Sequence, residues 1–428
     1  MTDAMPPALS DVLDPLIDAH SKGFPQSSPP LRRSQIGAQG WRVFDGDLPL
    51  PLAVIKRDTL QHNLGWMQGF ANDRSIGLAP HGKTTMSPQL FQRQLAAGAW
   101  GITFATVGQL RIGVAAGVRN ALIANQVITA IDLAGITALQ AAHPDLRVLF
   151  LLDSPAQLAL IEGTHPATPF EVLLEVGVPG GRTGCRTHEQ AMALARRAHD
   201  SAAVRLCGVE CYEGLGAIND DVADAAYADA LLHRVYEVAR QCDRDNLFNS
   251  DEIILSAGGS AIFDLVAQQL TPHLKRKVRG LLRSGCYITH DQGSYKRYMA
   301  SVNRRLGCAA DNGLHAALEV WAAVQSLPEP GLAILAVGKR DISHDIEMPL
   351  PLGFVTRGSH RMQHAPADWK ISALNDQHAY LRFDGASLRV GDLVALGISH
   401  PCTTFDKWRW MPIVDGDYRV VDALVTCF

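Results

Sequence analysis

The chain has 428 residues, 47% hydrophobic and 19% charged. That is enough core material for two or three domains and excludes a mostly disordered polymer. Lys and Arg number 39 against 43 Asp and Glu, a net charge of −4, so there is no electrostatic case for nucleic acid or an anionic membrane as partner.

The longest apolar stretches are strand-sized, far short of the roughly 20 residues that cross a bilayer. Residues 1–15 lack the basic start and apolar block of a secretory leader. A soluble, cytoplasmic protein is expected. Its eight cysteines form no CxxC pair and are expected to be reduced in that compartment.

Residues 1–55 are rich in Pro and Ser and read as an N-terminal extension. It ends in the apolar run 52–55 and is expected to pack with the C-terminal domain. Asp58 is positioned as an N-cap for a helix reaching about residue 70. Strand-like runs follow at 76–80, 101–104, 121–124, 147–152, 170–176, 204–209, 252–256 and 278–282. Ala- and Leu-rich helical patterns separate them, among them 109–116, 189–198 and 225–241, and Ser87-Pro88 marks another helix start. Eight strands alternating with helices predict an α/β fold, a (β/α)8 barrel over residues 56–310. An open doubly wound sheet is the structural rival, weakened by the absence of G-x-G-x-x-G after the first strand. Beyond 310 the helical rhythm fades. Short β runs at 316–324, 332–337, 379–383, 393–398 and 418–425 are punctuated by Pro328, Pro330, Asp384-Gly385 and Asp415-Gly416. They predict a mostly antiparallel β domain over 311–428.

Catalytic groups gather at the C-terminal ends of barrel strands. Lys83, in Pro80-His81-Gly82-Lys83-Thr84, stands at the end of the first. A lysine desolvated there becomes nucleophilic toward an aldehyde, although from position alone a solvated loop lysine is the commoner case. His81 is a second candidate catalytic side chain. Ser256-Ala257-Gly258-Gly259-Ser260 follows the seventh strand and Ser284-Gly285-Cys286-Tyr287 the eighth. Phosphates in such barrels sit on those two loops, where glycine lets backbone N–H groups approach. Lysine and glycine loops together suggest pyridoxal phosphate, held by Lys83 as a Schiff base and by Gly258, Gly259, Ser260, Gly285, Cys286 and Tyr287. Arg182 after the fifth strand and Tyr212 after the sixth are further candidates for the cofactor pocket. His400 and Cys402, in Ser399-His400-Pro401-Cys402, can place an imidazole and a thiolate on one divalent metal, zinc before manganese or magnesium. Alone such a pair is usually incidental. His344-Asp345 reads as a loop-shaping pair, Lys275-Arg276-Lys277 as a solvated helix end, and Trp408-Arg409-Trp410 as pocket wall or core.

From about residue 51 to 428, these motifs resemble the D-serine dehydratase-like and D-threonine aldolase-like enzymes, pyridoxal phosphate proteins of the alanine-racemase-type fold. The segments that carry the likeness are 52–64, 80–84, 94–106, Gly258-Gly259, 284–287 and His400-Pro401-Cys402. Ala79 departs from it, where relatives often carry arginine, as do Thr85-Met86, where they often carry His-Lys. The resemblance implies a homodimer with each active site near the subunit interface, Lys83 carrying the cofactor, and His400 and Cys402 holding the metal. It also implies D-amino acid substrates with a β-hydroxyl. His-x-Cys is similar to the dehydratase branch, which gives a 2-oxo acid and ammonia. Aldol cleavage to glycine and an aldehyde is the alternative. Racemisation and a non-catalytic cofactor-binding role are remoter ones.

Overall fold

The structure, a computed structural model, describes residues 8–214, 216–309, 312–384 and 388–428. Gly385 of the expected Asp-Gly turn, and the expected domain boundary at 310–311, lie outside the described residues. In the extension, Phe24, Ile36, Val43 and Leu48 are buried against Trp410 and Val420 from the other end of the chain. β1 (Leu52–Lys56) runs straight into α1 (Arg57–Asp73). Asp58 is not the cap: it lies in the first turn and pairs with Arg57 at 2.9 Å, while Lys56 takes the cap position.

The eight strand-like runs all become strands: β2 (Gly77–Leu78), β3 (Ile102–Phe104), β4 (Asn120–Gln126), β5 (Arg147–Leu152), β6 (Phe170–Val176), β7 (Val204–Cys211), β8 (Glu252–Ala257) and β9 (Lys277–Leu282). They form one curled parallel sheet in the order β2-β9-β8-β7-β6-β5-β4-β3. Its two ends meet through the parallel bridge between His81 and Thr103, with Thr103 N–H donating to Pro80 O at 2.9 Å. Between strands run α2 (Pro88–Ala96), α3 (Val107–Ala115), α4 (Ala130–Ala142), α5 (Pro155–Glu162), α6 (His188–Asp200), α7 (Asp221–Arg244) and α8 (Phe263–Ala267); α9 (Ser294–Leu306) follows the last strand.

These strands are buried on both faces, so they read as apolar runs rather than alternating ones. Leu149 and Leu151 point inward with Leu122, Leu173, Cys207, Ile254 and Leu281. Val148, Phe150 and Leu152 join the layer under the helices. Each such side chain contributes about 1.5–3 kcal/mol on burial. Two residues further along three of the strands, the inward series turns polar, with Glu175, Ser256 and Arg283. Of these three, Arg283 also lines the cavity described below.

The second sheet is antiparallel at its core. It comprises β10 (Leu318–Glu329), β11 (Leu332–Leu335), β12 (Leu350–Val355), β13 (Lys370–Leu374), β14 (Ala379–Arg382) and β15 (Leu393–Gly397), ordered β12-β15-β10-β11-β14-β13. The short helix α10 (Pro401–Phe405) precedes β16 (Trp410–Val414) and β17 (Val420–Val425). β1 pairs antiparallel with β10 and parallel with β16, so the strand that starts the barrel belongs to the other sheet. Trp408 and Trp410 are core residues, donating to Asp341 O and Lys22 O at 2.8 and 2.9 Å. The basic run at 275–277 is no helix end: Lys277 opens β9 and Arg276 pairs with Asp243 at 3.0 Å. Among the described residues no helix is long and apolar enough to cross a membrane.

Candidate active site

A cavity of about 190 Å³ opens where the barrel's C-terminal strand ends meet α10. It is lined by His81, Lys83, Arg182, Tyr212, Gly258, Ser260, Gly285, Cys286, His400 and Cys402, together with Thr84, Ala124, Asn125, Arg283 and Tyr295. Ten of the twelve residues singled out from the sequence therefore share one wall. Gly259 and Tyr287 do not. Gly259 turns at φ +64°, where a Cβ would strike Leu282. Tyr287 is buried away from the cavity, and its hydroxyl accepts from Gln94 Nε2 at 3.3 Å.

Lys83 sits on the single 3-10 turn Gly82–Thr84, immediately after the bridge that closes the sheet. Gly82 permits the turn, because a Cβ there would lie 2.9 Å from both Ile102 and Phe91. The expected desolvation of Lys83 is absent: its side chain is exposed on the open flank of the cavity. His81 is set deeper, with Nδ1 sealed from solvent and unpartnered. Burial, then the charges of Lys83 and Arg283, push its pKa well below the usual range, so the imidazole is neutral.

The floor is built on Arg283, which the sequence reading passed over. Its guanidinium donates to Glu210 Oε2 and Ser256 Oγ at 2.6 Å, and to Cys211 O at 3.1 Å. Burial raises the Glu210 carboxyl to about 7 against the opposing pull of Arg283. Arg182 lies 4.7 Å over the Tyr212 ring, a cation–π contact. Gly258 lets that ring approach, since a Cβ there would lie 2.6 Å from it. The amides of Gly258 and Gly259 donate to the carboxylate of Glu213. Two adjacent amides converge here on one carboxylate, the kind of turn that can also hold a phosphate.

α10 carries the metal candidates. His400 occupies its N-cap position and Cys402 its second residue. His400 Nδ1 meets Asp345 Oδ2, and Thr403 Oγ1 donates to Asp345 Oδ1 at 2.8 Å. Asp345 thus orients the imidazole as carboxylates do behind metal-bound histidines, a role its loop position did not suggest. Cys402 Sγ lies 3.5 Å from Thr84 Oγ1 and 3.7 Å from Cys286 Sγ. Hydrogen bonding from Cys286, joined by His400 and Thr84, holds the Cys402 thiol well below its usual range, and the bond to Cys402 raises His400 to about 9. A thiol shifted down beside an imidazole shifted up is a setting that a cation could share. Among the described residues no three His, Cys, Asp or Glu side chains form a ready metal-holding group.

Residues 55–285, more than half of the chain, match the family model described as alanine racemase, N-terminal domain. The chain belongs to that family. Residues 317–414 match a second model, a putative serine dehydratase domain, so the resemblance read from the sequence holds for both sheets of this alanine racemase family member. D-threonine aldolase of an Arthrobacter species is 27% identical over 372 residues, covering 86% of this chain and 89% of its own. D-threo-3-hydroxyaspartate dehydratase of a Delftia strain is 29% identical over 304 residues, covering 70% and 73%. A solved D-threonine aldolase from Filomicrobium marinum superposes with a TM-score of 0.74 at 22% identity, covering 90% of this chain and 97% of its own. A cysteine-to-alanine mutant of a D-threo-3-hydroxyaspartate dehydratase, solved in the metal-free form, gives a TM-score of 0.68 at 24% identity, covering 89% and 98%.

Proposed function

We propose that this protein is a pyridoxal phosphate- and divalent metal-dependent lyase that dehydrates a D-β-hydroxy amino acid to a 2-oxo acid and ammonia. The observation that carries the reading is the meeting of Lys83 with His400 and Cys402 around one cavity. An amine that condenses with an aldehyde and a donor pair for a Lewis acid face the same small space. Both relatives' names describe enzymes of D-amino acids bearing a β-hydroxyl.

The residues fit the cofactor. Lys83 would carry it, the Gly258 turn and the 284–286 loop would take its phosphate, and Arg283 and Arg182 would face its ring. When bound, it supplies an electron sink for the pair left at Cα, and the metal on His400 and Cys402 supplies a Lewis acid for the departing hydroxyl. The protein's own part is to move protons and to hold side chains in place. Lys83 Nζ, once set free by the incoming substrate amine, would take the α-proton. His81, neutral and with an unpartnered Nδ1, receives or returns a proton across the cavity. Asp345 fixes the ring of His400.

Purified protein given D-threo-3-hydroxyaspartate or D-serine should release ammonia and a 2-oxo acid, and Lys83→Ala should release neither. Aldol cleavage is the second reading, favoured by the aldolase match over 86% of the chain. Glycine plus an aldehyde as the products would replace the first reading with it. By the family resemblance the molecule is also a homodimer, and a second copy would cover the open flank where Lys83 is exposed.

A further inference from the structure

We infer that Arg186, locked in turn by Arg234, is a positioning residue that aims Arg182 into the active-site cavity. The inference rests on the proposed function, in which Arg182 faces the cofactor ring, and adds to it the device that holds that side chain in place. Arg182 sits on the loop between β6 and α6, residues 177–187, which carries glycine at 177, 180, 181 and 184. A loop so rich in glycine has many backbone conformations to lose. Arg182 is exposed at the cavity and rests on the Tyr212 ring at 4.7 Å. That contact steers the side chain but does not fix the backbone beneath it.

Two guanidiniums hold that backbone. Arg186 Nη1 donates to Thr183 O at 2.5 Å and Nη2 to Gly181 O at 2.7 Å. These are the carbonyls on either side of Arg182, so one planar fork grips both flanks of the residue. Gly177 makes room for the fork, since a Cβ there would lie 2.3 Å from Arg186 Nη1. Arg234, on α7, donates to Gly177 O at 2.6 Å, to Arg186 O at 2.8 Å and to Cys185 O at 3.4 Å. It thereby ties both feet of the loop to the helix. Thr183 Oγ1 adds a further tie, donating to the buried Glu175 at 2.6 Å. Hydrogen bonds from charged donors are the stronger kind, and here they are given to loop backbone. Neither Arg186 nor Arg234 lines the cavity, so what they do for the chemistry passes through Arg182. Lysine in place of Arg186 keeps the charge but not the fork.

The test compares Arg182→Gln, Arg186→Gln and the double variant, each loaded with pyridoxal phosphate. The pH titration of the bound cofactor's visible absorbance reports the charge beside its ring, and equilibrium dialysis gives its Kd. Both single variants should move the titration in the same direction and raise Kd about 10–100-fold, the loss of a hydrogen bond from a charged group. The double variant should be no worse than Arg182→Gln, because the clamp then has nothing left to aim. Arg186→Lys should not restore wild-type values, and restoration would overturn the fork. An Arg186→Gln protein that titrates and binds as wild type, while Arg182→Gln does not, overturns the positioning role and leaves Arg182 at the ring. Losses that multiply in the double variant overturn it as well. A wild type that binds no cofactor overturns both readings. Circular dichroism of each variant confirms the fold, and Arg234→Gln, with the same expected outcome, replaces Arg186→Gln if that one does not fold.

Discussion

His400 and Asp345 are 55 positions apart in the sequence and joined by a hydrogen bond in the fold. Asp345→Asn keeps the size and the Thr403 contact but removes the charge behind the imidazole. Metal affinity should fall about 10–100-fold, read by competition with a chromophoric chelator; wild-type affinity would contradict the assignment. Asp291 gives a second test. Its Oδ1 accepts the amides of Gly293 and Tyr295 at 2.8 and 3.1 Å, while Oδ2 is buried without a partner. Burial raises its pKa from 3.8 to about 7. Between those values the folded protein keeps a proton that the unfolded chain has lost. The stability this gives is full below 3.8 and is lost as pH rises through about 7. Asp291→Asn keeps the acceptor and cannot ionise, so its melting temperature should fall less between pH 5 and pH 8 than that of wild type. Equal falls would contradict the account. At this scale the sequence singled out Lys83 and His400, and the fold brings both to one cavity. The sequence hid Asp345 and Arg283, whose roles depend on partners in other elements. Tyr287 misled, because a tyrosine on a phosphate-type loop can turn either way and here Gln94 holds it in the core.

Among the elements, the barrel strands were legible because strands covered on both faces must be apolar throughout. β12 was not: Pro351 and Gly353 interrupt it and read as turn residues. β13 is five residues long, too short to establish a period. β16 is carried by the Trp410 segment, where pocket wall and core strand look alike in one dimension. The loop after β9 makes its own prediction. In Gly285→Ala the new methyl meets backbone oxygen and a hydroxyl at 2.6 Å, and the turn bearing Lys83 has to shift. Overpacking of this kind costs about 1–3 kcal/mol. Cofactor affinity should fall together with melting temperature, and a variant with wild-type values for both would show that the close approach is dispensable.

For the whole molecule, length and composition allowed two or three domains but not the exchange between them. β1 lies in the antiparallel sheet and leads into α1 of the barrel, while α10 returns a histidine and a cysteine to the barrel's mouth. The second sheet is therefore part of the site. The open flank at Lys83 bears on assembly: light scattering should give the mass of a dimer, and a monomer at working concentration would contradict the homodimer reading. The central claim is that one cavity joins an aldehyde-binding lysine to a metal pair for the elimination of water. It is tested most directly by identifying the products from D-threo-3-hydroxyaspartate, D-serine and D-threonine, with and without a chelator. The account predicts a 2-oxo acid and ammonia, lost on chelation and restored by zinc; turnover that survives chelation, or racemised substrate as the product, would contradict it.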